Sequence, residues 1–155
     1  MAPPRPRPSR GPTPIDYWTL SELRYHIRRF LRGREVAARA AGVAPQQYLL
    51  LLQVKGMEGR RPPTIGTLAE RLQLQHHTIV ELIDRLEERG MVTRRRGGED
   101  RRAVLVELTP AGDTIVRRLA QLSLNEIRTE GPVLISALRR LVGPRGRNPR
   151  ARENR

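Results

Sequence analysis

The sequence predicts a mainly α fold that carries one small β-hairpin. Apolar residues return every three or four positions through most of the chain, the spacing of helices with one buried face. Strands are convincing only over residues 91–96 and 103–108, which flank a glycine-bearing turn, and the second of them alternates with period two. Proline and glycine fall between these stretches, at Gly42, Pro62-Pro63, Gly90, Gly97-Gly98 and Gly131-Pro132.

At 155 residues the chain suits one domain with a core of its own. A formal net charge of +14 fits a polyanionic partner, nucleic acid before an anionic membrane surface. Every basic residue except Lys55 is arginine. A GC-rich coding sequence also gives that bias, so the placement of the charge tells more than its sum. The absence of cysteine excludes disulfides, thiolate zinc sites and cysteine-based redox sensing. The longest apolar run is only Leu49 to Leu52, too short to span a bilayer, and the first residues lack the apolar centre of a secretory leader. The expected location is the cytoplasm, with the nucleoid, and no cofactor is expected.

Residues 1–14 contain six prolines and three arginines and predict a disordered basic arm. From 16 to 41 one helix is expected, with Leu20, Leu23, Ile27, Phe30 and Leu31 as its apolar stripe and Arg24, Arg28, Arg29, Arg32 and Arg34 opposite. At about 1.5 Å per residue it is longer than a domain of this size needs for itself, which points to a partner subunit. A second helix over 44–57 is apolar nearly all round and therefore central, with Pro45 in its first turn. Thr64 caps a short third helix whose Ile65, Leu68, Ala69 and Leu72 face inward. After a turn at Gln73-Leu74, a fourth helix over 75–89 buries Ile79, Leu82, Ile83 and Leu86 and ends at Gly90. His76, His77, Val80, Glu81 and Asp84 lie on its other side. Thr109-Pro110 opens a further helix with Ile115, Val116, Leu119, Leu122 and Ile127 on one side. Gly131-Pro132 is expected to break it, leaving a last helix to about 142 with Leu134, Ala137, Leu138 and Leu141 inward. Residues 143–155 carry five arginines and predict a second basic tail, which either touches phosphates or simply solubilises the chain.

Two short helices at a tight angle, followed by an arginine-tipped hairpin, can push a helix into one groove of DNA while a finger of chain reaches the next. A helix N-terminus offers free N–H groups to phosphates and its first side chains to base edges. Gln75, His76, His77 and Thr78 occupy that place. Gln75 can bond an adenine edge, the histidines can donate to guanine or phosphate, Val80 suits a thymine methyl, and Glu81 can accept from a cytosine amino group. The alternative for each is a solvated surface position. Adjacent histidines diverge by about 100° on a helix and cannot chelate one ion, so no metal site is expected. The hairpin tip holds Arg94, Arg95, Arg96, Arg101 and Arg102, opposed only by Glu99 and Asp100. A narrow minor groove attracts such guanidinium groups. No nucleophile–base array, phosphate loop or carboxylate pair stands out, so no catalytic residue is assigned and no enzyme is expected.

The stretch LAERLQLQHHTIVELIDRLEERGMVTRRRGGEDRRAVLVELTPAG resembles the MarR family of bacterial transcription regulators. The matching pieces are LAERL, the helix ending DRLEERGMV, the Asp100-Arg101-Arg102 run and VLVELTPAG, with similarity over about residues 15–142. The resemblance implies a winged helix-turn-helix fold. It places dimerisation helices at 15–42 and 110–142 and a DNA-binding head at 44–109. It implies a homodimeric repressor of sequence-specific action on a palindromic operator in double-stranded DNA, released by a small aromatic or phenolic effector. Arg101 or Arg102 would enter the minor groove with Asp100 orienting the tip. Tyr25, His26, Arg28 and Tyr48 would lie near the effector pocket, although core packing also accounts for the tyrosines and a surface position for His26. The chain departs from the family where Gln73 replaces a usual glycine, where Gln75-His76-His77-Thr78 replaces a serine-rich helix start, and at Glu81, where a polar or basic residue is common. A non-specific or architectural nucleic-acid-binding protein, relying on the positive charge alone, is the competing reading.

Overall fold

A computed structural model describes residues 11–97 and 103–143. Its element order is α1 (Pro14–Ala40), α2 (Pro45–Met57), α3 (Ile65–Leu72), α4 (His76–Glu88), β1 (Val92–Arg96), β2 (Val104–Leu108) and α5 (Pro110–Val142). The chain divides into two compact units: Leu31–Ile127, and the outer parts of α1 and α5 up to Phe30 and from Arg128.

The larger unit holds the main core. Leu50, Leu51 and Val54 of α2, Leu68 of α3, and Ile79, Ile83 and Leu86 of α4 pack with Val92, Val106 and Val116. The stripe expected on α4 is the buried one, Ile79, Leu82, Ile83 and Leu86. Helix α2 is central as its composition predicts, although Leu49 remains 45 % exposed. A smaller cluster joins Ala38, Val43, Tyr48 and Leu119. Gln47 is buried among them, and its Oε1 accepts from the Ala44 N–H at 3.0 Å and from Arg89 Nη1 at 3.1 Å, so the polar group is satisfied. Arg34 of α1 binds Glu126 of α5 and donates to Ser123 Oγ at 3.3 Å.

The helix starts follow from local chemistry. Thr13 and Asp16 form a reciprocal cap on α1, with the Thr13 N–H donating to Asp16 Oδ2 at 2.8 Å and the Asp16 N–H to Thr13 Oγ1 at 3.3 Å. The Thr64 side chain accepts from the Thr67 N–H at 3.1 Å, and Thr109 Oγ1 accepts from the Gly112 N–H at 3.2 Å. Lys55 of α2 bridges to Asp113 in the first turn of α5 at 2.8 Å.

In the smaller unit Ala137 of α5 and Thr19 of α1 are buried, and Arg29 meets Glu130 at 3.3 Å. The expected break at Gly131-Pro132 does not occur: α5 is one helix of 33 residues with Pro132 inside it. Proline removes one hydrogen bond, at a cost of about 3 kcal/mol. The helical bonds on both sides persist, and Glu130 is anchored by α1. The predicted inward set is also corrected there, since Leu138 is 47 % exposed while Ala137 is buried.

Candidate nucleic-acid interface

The turn between α3 and α4 sets the angle of the reading helix. Gln73 closes α3 in the left-handed region, φ 54° and ψ 41°, where glycine is the usual occupant. Its N–H reaches Glu70 O at 3.3 Å and the Leu74 N–H reaches Ala69 O at 3.1 Å, so the turn is closed by backbone bonds despite the bulkier side chain. Gln75 is the N-cap of α4, with extended backbone and no side-chain bond to the helix. The first N–H groups of α4 therefore have no acceptor from the cap residue, in contrast to α3 with its threonine.

Gln75, His76, His77 and Glu81 are exposed, and Thr78 and Val80 half-buried. All six predicted reading residues thus lie on or beside the first turns of one helix whose opposite face is in the core. Among the described residues no group of three His, Cys, Asp or Glu side chains is placed to hold a metal.

Strands β1 and β2 pair antiparallel, Val92 opposite Leu108 through Arg96 opposite Val104, and the Gly97 N–H donates to Ala103 O at 2.8 Å. The loop before α3 is stitched to the same hairpin, since the Val106 N–H donates to Pro63 O at 3.0 Å and Thr64 bridges to Leu105. Hairpin, loop and α3 are thereby held together. Of the wing residues, Asp100, Arg101 and Arg102 lie outside the described residues.

The other three arginines differ in their surroundings. Arg94 is turned onto α4: its guanidinium binds Asp84 and Glu87, and its backbone N–H donates to Glu87 Oε1 at 3.1 Å. Burial works against its charge, the bonds to Asp84 and Glu87 outweigh burial, and its pKa is raised. Arg95 reaches across the strands to Glu107 at 2.6 Å and stays exposed. Arg96 is exposed. Arg94, expected as a DNA contact, is held as a clamp between β1 and α4 in this structure. The signal for this was the Asp84 and Glu87 spacing of three, which places both carboxylates on neighbouring positions of one helix face.

The predicted effector residues fall in both units. In the smaller one Tyr25 is 56 % exposed, so core packing does not account for it, and its ring meets His26 edge-on with centroids 5.2 Å apart. The His26 side chain is only 14 % exposed, with Nε2 3.9 Å from Glu22 and Nδ1 3.6 Å from Glu130. A surface position does not describe it, because it points toward α5. Arg28 is exposed. In the larger unit Tyr48 is a core residue, 4 % exposed.

Comparison with known proteins agrees with this architecture. Residues 41–103 match the model of the MarR family. The organic hydroperoxide resistance transcriptional regulator of Bacillus subtilis is 38 % identical over 66 residues, 43 % of each chain. The matched stretches span 43–63 % of the lengths of the curated relatives. Among solved structures, AbsC of Streptomyces coelicolor, a MarR family transcriptional regulator, superposes with TM-score 0.68 at 20 % identity, covering 88 % of this chain and 95 % of that one. A mutant of MepR from Staphylococcus aureus, bound to an oligodeoxyribonucleotide, gives 0.60 at 19 % identity over 77 % and 82 %. No helix among the described residues is long and apolar enough to cross a membrane. Helices α3 and α4 with the β1–β2 hairpin form a winged helix-turn-helix, and the match to the MarR family model runs from just before α2 through β1.

Proposed function

We propose that the chain is a homodimeric transcription regulator, a repressor, that binds a palindromic operator in double-stranded DNA. Residues 44–109 form the reading head, and 15–42 with 110–142 the dimerisation region. One observation carries the reading: α4 offers an exposed polar N-terminal face while its other face is locked into the core beside an arginine-bearing wing. Such a helix can enter a major groove without disturbing the fold. The MepR relative bound to an oligodeoxyribonucleotide supports the polyanion as partner. Gln75, His76, His77, Thr78, Val80 and Glu81 would face bases or phosphates, and Arg95, Arg96, Arg101 and Arg102 the backbone and minor groove. Asp100 would orient the tip.

The dimer is supported by apolar surface left uncovered on both long helices. Ile15, Trp18, Leu20, Ile27, Val133 and Leu138 are each more than 40 % exposed in the smaller unit. A second copy would remove such surface from water at roughly 25 cal/mol per Å². A small aromatic or phenolic effector that frees the operator follows from the family resemblance, with Tyr25, His26, Arg28 and Tyr48 as its candidate neighbours. Such an effector has to favour the state that does not bind DNA.

The test is competition. Against a selected duplex, unrelated DNA should compete worse by roughly 10³ or more. Equal competition by both would favour the alternative, a non-specific nucleic-acid-binding protein using the +14 charge.

A further inference from the structure

We infer that Glu81 reads a cytosine, so that each half of the bound site carries a C·G pair at one fixed position; this rests on the DNA-reading role proposed for α4. Four carboxylates ride on that helix, at Glu81, Asp84, Glu87 and Glu88. Arg94 neutralises two of them, Asp84 and Glu87, from the wing. Glu88 is the last residue of the helix, about 18 Å along the axis from its N-terminus. Glu81 lies on the exposed face one turn in from His77 and forms no ion pair among the described residues, Arg85 one turn further on included.

An ionised carboxylate can only accept hydrogen bonds. Carried into a groove between two phosphate chains, it is repelled unless it meets a donor, and desolvating it without one adds to the loss. The major-groove donors are the amino groups of cytosine and adenine. Adenine sets its N7 acceptor beside the amino group, whereas the cytosine amino group is the match for a carboxylate. Arg94 therefore has an electrostatic consequence for recognition: by masking Asp84 and Glu87 it leaves Glu81 as the one carboxylate of α4 before the terminal Glu88 that has to be answered by a base.

The experiment selects binding sites from random duplex DNA with the full chain as wild type, Glu81→Gln and Glu81→Ala, with melting curves as a control for folding. The wild type should enrich C·G at one position per half-site by about tenfold or more over other pairs. Glu81→Gln should move that position alone to A·T, because an amide matches the adenine N6/N7 edge, and Glu81→Ala should flatten it. Since the side chain is exposed, both variants should melt as the wild type does. An enriched site with the same base profile in all three proteins overturns the role of Glu81 and leaves the reading helix intact. If the wild type enriches no site, the DNA-reading proposal falls as well.

Discussion

Arg94 and Gln73 decide how α4 is presented, and they do so by opposite means. Arg94 ties the hairpin to the helix through two partly exposed ion pairs, worth about 1 kcal/mol each at most. Arg94→Ala should therefore lower stability only modestly. It should weaken DNA binding by unmasking Asp84 and Glu87, while the slope of log affinity against log salt stays unchanged, because no phosphate contact is lost. Arg96→Ala should instead reduce that slope by about one. Equal slope changes in the two variants would place Arg94 on the phosphates. Gln73 holds a strained left-handed backbone where the Cβ is a disadvantage. Gln73→Gly relieves the strain but adds freedom to the unfolded chain, so a net gain of at most about 1 kcal/mol is expected in a denaturant melt. A loss of stability would show that the side chain contributes something its backbone does not. The left-handed turn was legible because the family pattern has glycine there. The inward turn of Arg94 was legible only in part: Asp84 and Glu87 offer a carboxylate face, but a run of arginines at a hairpin tip does not say which of them folds back onto it.

The elements themselves were legible wherever one face is buried, since α3, α4 and β2 carry a clear apolar period that survives in the packing. The long C-terminal helix was not. Local propensity reads Gly131-Pro132 as a stop, whereas α5 runs through it as one helix, with Glu130 just before the proline paired to Arg29 of α1. At the start of α5, Gly112 packs directly on the Met91 carbonyl, leaving no room for a methyl group. Gly112→Ala should thus cost about 1–3 kcal/mol of stability through overpacking; a variant as stable as wild type would refute that close approach. The same first turn carries a pH dependence. The bond from Lys55, then that from Arg117, holds the Asp113 carboxyl below its ordinary 3.8, and Asp113 followed by Glu58 raises Lys55 above its ordinary 10.5. The depressed carboxyl stabilises the fold above its unfolded pKa and loses that contribution as pH falls through the folded value. The raised amine stabilises it below its unfolded pKa and loses that contribution as pH rises through the folded value. Lys55→Met should accordingly flatten the acid limb of the stability profile below about pH 4. An unaltered acid limb would contradict the bridge.

For the whole molecule, fold and function meet in the two long helices. The proposed dimer would cover their exposed apolar residues, and the apolar stripe predicted for α1 was legible although its destination was not. Leu20, Ile27 and Leu31 fit a core stripe by spacing, yet they stand 41 %, 41 % and 52 % exposed. Periodicity identifies an apolar face but not whether the same chain or another one covers it. Two copies related by a two-fold axis would set their α4 helices about 34 Å apart, one turn of B-DNA. The most direct measurement is the mass of the full chain, free and on its selected duplex, combined with a footprint of that duplex. Two chains in both states, with two protected major-groove segments about 10 base pairs apart, are predicted. A single chain on the duplex, or one unrepeated protected segment, would contradict the account.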